Sequence, residues 1–340
     1  MNANVAGAHQ RRSVSLVVPA LNEADNVPRL MERLRHLHDT YPHHDFELVL
    51  VDDGSTDGTA DVVESLVEPE DRVVVVRLAR SFGSHYAITA GLTQCTGDSA
   101  IVMGADLQEP VSMIEAMLQR WDEGAEVVWG IRASRTGRSR VSEWASSLFS
   151  WAFARYAGLA NYPAEGPSGV LIDRAVIDAV GRLGEGNRNV YALIAWVGFD
   201  QQRIYYDQDP RVVGSSHWTK RKMLALAIDS FVQFSSTPLR VSSTAGMTIA
   251  GLGVIYALVL VVRWIAGVDT PTGWPTVIVL VLVLGGVQLF MIGVMGEYMW
   301  RGVAETRRRP LYVMRDIVVH VPQSRASESD PGETGRYEDA

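Results

Sequence analysis

Phe46-Glu47-Leu48-Val49-Leu50-Val51-Asp52-Asp53-Gly54-Ser55-Thr56-Asp57-Gly58-Thr59 is the stretch from which the fold can be read. Residues 46–51 are a β-rich apolar run, and residues 52–58 are turn formers and carboxylates. A helical pattern follows over 59–66, with Asp57 as its candidate cap. The same order of strand, loop and helix recurs on either side. Residues 13–18 precede a helix over about 25–38, 73–77 precede a helix over 84–94, and 100–103 precede a helix over 111–121. Pro110 opens that last helix, at a position where proline is tolerated. Residues 126–129 supply a fifth strand. Such alternation predicts an α/β domain with a mostly parallel sheet and helices on both faces. Ligands of such sheets bind beyond the carboxyl ends of the strands.

The loops at that edge are acidic. After the first strand the chain reads Pro19-Ala20-Leu21-Asn22-Glu23, after the second Asp52 to Thr59, and after the fourth Gly104-Ala105-Asp106-Leu107-Gln108-Glu109-Pro110. Taken singly, Asp-Gly-Ser is an ordinary turn and Asp-x-Gln-x-Pro an ordinary helix start. Three such loops on one rim, without partner cations in sequence, suit a divalent metal on a diphosphate or hydrogen bonds to a base and ribose.

Two uncharged apolar runs, residues 244–262 and 276–296, follow this domain. Each approaches the roughly 20 residues that a helix needs to cross a bilayer. The linker at 263–275 contains Pro271 and Pro275, so the pair reads as a transmembrane hairpin rather than a buried core hairpin. Arg240 precedes it and Arg301, Arg307, Arg308 and Arg309 follow it, whereas the linker holds Arg263 against Asp269. The distribution places the large domain and both termini in the cytoplasm. Residues 138–159, with Trp144, Trp151 and Phe153, and residues 223–234 behind Lys220-Arg221-Lys222, read as amphipathic segments for the membrane interface, with plain core as the alternative. Gly251, Gly253, Gly285, Gly286 and Gly293 would let membrane helices pack closely, within or between subunits.

Composition agrees with this division. A net charge of −8 argues against a nucleic-acid partner, and Cys95, the single cysteine, rules out a disulfide framework within the chain. Residues 1–12 read as a flexible start that is not a signal peptide, and 324–340 as a disordered tail.

The ordered set resembles a known family. Val18 to Glu23, the 52–59 run, Arg80-Ser81-Phe82-Gly83, Asp106 to Pro110, Gly130-Ile131-Arg132, Ser236 to Arg240, Gly296-Glu297-Tyr298 and Arg308 to Tyr312 are similar to the family-two glycosyltransferases of the Rossmann-like GT-A fold. The resemblance lies with the branch acting on polyprenyl phosphates, which includes dolichol-phosphate mannose synthase and the bacterial undecaprenyl-phosphate glucosyl and aminoarabinosyl transferases. It covers about residues 13–318. It implies a GT-A domain over 13–215, a juxtamembrane segment over 216–242, two transmembrane helices within 243–298 and a cytoplasmic segment over 299–323, in the bacterial plasma membrane.

The resemblance also assigns roles. Pro19, Leu21 and Glu23 would line the nucleoside pocket, Asp52 or Asp53 would bond the base, and Gly104, Ala105 and Asp106 would face the nucleotide sugar. Asp106 and Gln108 would hold Mg²⁺ or Mn²⁺. Arg132 and Arg211 would meet phosphate charge, where a planar fork matches phosphate oxygens. His217 would add positive charge if an anionic neighbour raised its pKa, with a neutral loop histidine as the alternative. The expected partners are a nucleotide sugar (UDP-sugar, with GDP-mannose as the other choice), undecaprenyl or decaprenyl phosphate, membrane lipids and further copies of the chain, a tetramer by analogy with the family. Three departures stand out. Gly104 replaces a carboxylate of the usual Asp-x-Asp, Ser168 replaces an aspartate proposed elsewhere as a general base, and Ser215, Ser216 and His217 alter the loop after Arg211. They keep open a transferase with another acceptor and a degenerate nucleotide-sugar-binding scaffold.

Overall fold

The computed structural model describes residues 11–133, 161–163, 165–186, 188–208, 237–266, 273–307 and 309–322. Arg211, His217, both interfacial segments and the tail lie outside them. The chain divides into two units, one of residues 1–151, 159–218 and 310–340, the other of residues 152–158 and 219–309.

The first unit is built on an eight-stranded sheet. Its elements run β1 (Arg12–Ala20), a 3-10 turn (Ala24–Asn26), α1 (Val27–Thr40), β2 (His44–Asp52), α2 (Thr59–Leu66), β3 (Val73–Leu78), α3 (Ser84–Gln94), β4 (Ser99–Val102), α4 (Val111–Asp122) and β5 (Val127–Arg132). After these come β6 (Gly169–Asp173), α5 (Arg174–Gly181), α6 (Val190–Trp196), β7 (Gln201–Tyr206) and, beyond the second unit, β8 (Met314–His320). The strand order is β7-β5-β6-β4-β1-β2-β3-β8. Strands β4, β1, β2 and β3 are parallel, as are β5 and β7, whereas β6 and β8 run antiparallel to their neighbours. The sheet is therefore mixed.

Buried parallel strands carry near-continuous apolar runs because helices cover both faces. Leu16, Val18, Leu48 and Leu50 pack with Leu30, Leu34 and Ile114 on one face, and Val17, Val49, Val51 and Val76 pack with Ala87, Ile88 and Ile177 on the other. Order along the sheet reverses between β1 and β4, which opens a crevice at their carboxyl ends. Helix α2 starts as expected at Thr59, but its cap position is Gly58 at φ 81°, and Asp57 reaches past it to accept from Thr59 N at 3.0 Å. Pro110 likewise occupies the cap position of α4 rather than its first turn.

The second unit contributes two long helices, α7 (Thr237–Ile265) and α8 (Trp274–Thr306). Among the described residues, no helix is long and apolar enough to cross a membrane. Leu258, Leu289 and Phe290 are exposed. An added Cβ at any of the five glycines expected at close helix contacts, within or between subunits, would meet nothing within 4 Å among the described residues of this chain. A close approach occurs at Gly246, where an added Cβ would lie 2.7 Å from Met291 Cε.

Candidate active site

The loops after β1 and β2 are stitched together. Asn22, at φ 56°, donates its backbone N–H to Ser55 Oγ at 2.9 Å, and its side-chain oxygen accepts from Thr56 N at 2.8 Å. Glu23 N donates to Thr59 Oγ1 at 3.0 Å, and Ala24 N to Asp57 Oδ2 at 3.0 Å. Burial raises the Asp57 pKa, but the Thr59 hydroxyl and the Ala24 and Thr59 amides outweigh it and hold the carboxyl below its usual range. Glu23 Oε2 accepts from Asn26 Nδ2 at 2.6 Å. Pro19 ends within β1, and Leu21 is half-buried beside it.

The two adjacent aspartates at the end of β2 have different duties. Asp53 is buried, and its oxygens accept from Phe82 N at 2.7 Å, Gly83 N at 2.9 Å and Ser81 Oγ at 2.9 Å. It clamps the loop after β3. Gly54 makes that possible, because at φ 77° it presses so close that a Cβ would lie 2.7 Å from Ser81 N. Asp52 accepts from Ser55 N through Oδ1 at 2.8 Å. Between the two candidates for a base contact, Asp52 retains the more acceptor capacity.

Across the crevice, the loop after β4 turns at Leu107, whose φ is 55°. It brings the carboxylates of Asp106 and Glu109 to the same side of Gly104. Glu109 is buried and its Oε2 has no hydrogen-bond partner among the described residues. Burial, and then the Asp106 charge, push its carboxyl up to about 7, against the pull of Arg132. The Gln108 side-chain oxygen accepts from Gln208 Nε2 at 2.8 Å. Two carboxylate oxygen donors, one of them orphaned, suit a small hard cation. Among the described residues no group of three or more His, Cys, Asp or Glu side chains could hold a metal.

Arg132 closes this end. It pairs in register with Tyr206, its charge opposes the burial that pushes the Tyr206 phenol up, and its buried Nε has no hydrogen-bond partner among the described residues. Ser168, at the start of the antiparallel β6, donates to Gly130 O at 3.1 Å and lies 2.5 Å from the Tyr206 hydroxyl. Behind them Tyr191 packs against Trp129 and, edge to face at 5.7 Å, against His85. Burial pushes His85 down to about 4, so it is neutral at pH 7. The structure thus brings Asp106, Arg132 and Ser168 to one edge with Asp52, and it adds Glu109, Tyr191, Tyr206 and His85, which the sequence reading had not singled out. Glu109 stood within a quoted motif; the other three carried no signal of their own.

Comparison with known proteins agrees with this architecture. Residues 15–181 match glycosyl transferase family 2, and residues 237–301 match the GtrB C-terminal hairpin. The chain is 34% identical over 305 residues to YkcC of Bacillus subtilis, described as an uncharacterized glycosyltransferase, covering 88% of this chain and 93% of that protein. It is 35% identical over 309 residues to sll0501 of Synechocystis, covering 89% and 95%, and 31% identical over 304 residues to the bactoprenol glucosyl transferase of Shigella phage SfX, covering 89% and 98%.

Proposed function

The chain belongs to glycosyl transferase family 2 and ends in a GtrB-type hairpin, and from that premise we propose that it moves a sugar from a nucleotide-sugar donor to a polyprenyl phosphate at the bacterial plasma membrane. One observation carries this reading. Carboxylates and an arginine gather at the carboxyl edge of the parallel strands, on a chain that goes on to two long helices of apolar sequence. The name of the phage relative supports the acceptor. The uncharged runs at 244–262 and 276–296, with Leu258, Leu289 and Phe290 exposed, support a membrane-crossing hairpin with the first unit in the cytoplasm.

The stitched loops after β1 and β2 hold the nucleoside, with Pro19, Leu21 and Glu23 lining it and Asp52 accepting from the base. Asp106 holds Mg²⁺ or Mn²⁺ against the diphosphate, next to Gly104 and Ala105. A divalent cation there supplies charge neutralisation for the leaving group. Arg132 offers its Nε and fork to phosphate oxygens, and Arg211 and His217 add positive charge from the segment that follows β7. The acceptor phosphate already carries negative charge near pH 7, so no proton has to be taken from it, and Ser168 is not required as a base. In-line attack inverts the anomeric centre. A UDP-sugar is the favoured donor, and the working form is a homo-oligomer.

The test is transfer by the purified protein from radiolabelled nucleotide sugars to undecaprenyl phosphate. A labelled lipid from one donor is the expected result. Transfer confined to hydroxyl acceptors would overturn the reading.

A further inference from the structure

Gly104 stands where the family's usual motif has a carboxylate, and the space its side chain would take is occupied. A Cβ at Gly104 would lie 2.8 Å from Asp106 Oδ1 and 3.5 Å from Glu109 Oε2. Glu109 therefore delivers an oxygen, from five residues further on, to the place that a side chain at 104 would enter. That oxygen is buried, on a residue only 3% exposed, and has no hydrogen-bond partner among the described residues. A buried carboxylate oxygen left unpaired beside a second carboxylate is costly unless a cation joins them. Gln108, the other candidate ligand, is held by Gln208. An amide oxygen is also the weaker ligand for a hard cation, since it brings no charge.

We propose that Glu109, rather than Gln108, joins Asp106 as the protein ligand pair for the divalent cation, restoring in space the carboxylate that Gly104 removes from the sequence. This rests on the metal-dependent reading above. Two carboxylates with diphosphate oxygens and water match the way Mg²⁺ and Mn²⁺ are held at phosphate-transferring sites. The site's charge is thereby the same as that of an Asp-x-Asp motif, although the motif itself is lost.

The experiment measures Mn²⁺ binding to the full-length protein by electron paramagnetic resonance, with Mn²⁺ alone and with Mn²⁺ plus UDP. Glu109→Gln, an isosteric change, should weaken binding by at least about tenfold, whereas Gln108→Ala should change it by less than about threefold. A parent-like melting temperature for Glu109→Gln, measured alongside, separates loss of a ligand from misfolding. The inference is overturned if Glu109→Gln binds like the parent, if it loses Mn²⁺ only together with its fold, or if Gln108→Ala is the variant that loses Mn²⁺. Failure of the parent protein to bind Mn²⁺ even with UDP would bring down the metal-dependent reading itself, a result distinct from those.

Discussion

The Tyr206 hydroxyl lies 2.5 Å from Ser168 Oγ, and Ser168 in turn donates to the carbonyl of Gly130. A hydroxyl has one proton, so with Ser168 donating to Gly130 it is Tyr206 that donates to Ser168. The Ser168 proton is thus spent on a backbone carbonyl.

Ser168→Ala should therefore lower transfer to polyprenyl phosphate by far less than the roughly 10²–10⁴-fold that a general base contributes. Arg132→Ala should cost far more, because a charge-assisted contact to phosphate is lost. Initial rates at saturating metal decide this. A thousandfold loss for Ser168→Ala would mean that the acceptor is a hydroxyl.

Asp106→Asn should nearly abolish transfer, and a chelator should do the same to the parent protein. Rates measured with and without excess Mg²⁺ or Mn²⁺ provide the check. Full activity of Asp106→Asn in the presence of a chelator would remove any metal role.

The neighbours Asp52 and Asp53 should separate cleanly. Asp53→Asn puts an amide donor among three donors, at a cost of about 1–3 kcal/mol, and should lower the melting temperature. Asp52→Asn keeps an oxygen for Ser55 N, so it should spare stability while raising KM for the nucleotide sugar. Identical behaviour of the two variants would refute the division of labour.

His85 should make the fold sensitive to acid. Its pKa in the folded state, pushed down to about 4, lies below the roughly 6.5 of the unfolded chain. Between those values the unfolded chain takes up a proton that the folded chain refuses, so stability is whole above about pH 6.5 and falls as pH drops towards 4. Denaturant midpoints of the parent and His85→Leu should converge across that window. A gap that stays constant would show that His85 does not titrate in this way.

The hairpin model predicts opposite sides for two reporters. One fused after Ala340 should be cytoplasmic, and one inserted at Thr272 should be external. Finding both on one side would end the model.

Local chemistry made much of this molecule legible. Helices α2 and α3 begin and end at the expected residues because loop formers bracket them. β6 and β8 were not legible. β6 pairs antiparallel with β4 and β5, and β8 with β3, so each owes its place to partners distant in sequence rather than to a helical crossover beside it. β8 lies in what the sequence presents as a C-terminal segment, and its exposed Arg315 and Asp316 hide the strand pattern. At the site, the acidic loops announced themselves by composition, but which carboxylate serves structure and which serves chemistry did not. Asp53 finds its partners in backbone amides some thirty residues away. Glu109 turns inward because Leu107 takes a left-handed backbone that no side-chain pattern reveals.

The position of β8 has a consequence for how the protein is made. β8 borders β3 at one edge of the sheet, yet it is synthesised after both long helices and after every other described strand. Until Met314–His320 leaves the ribosome, β3 presents a bare edge of unpaired amides and carbonyls, the kind of edge that invites pairing with another chain. Both long helices are therefore synthesised before the sheet of the first unit can be completed.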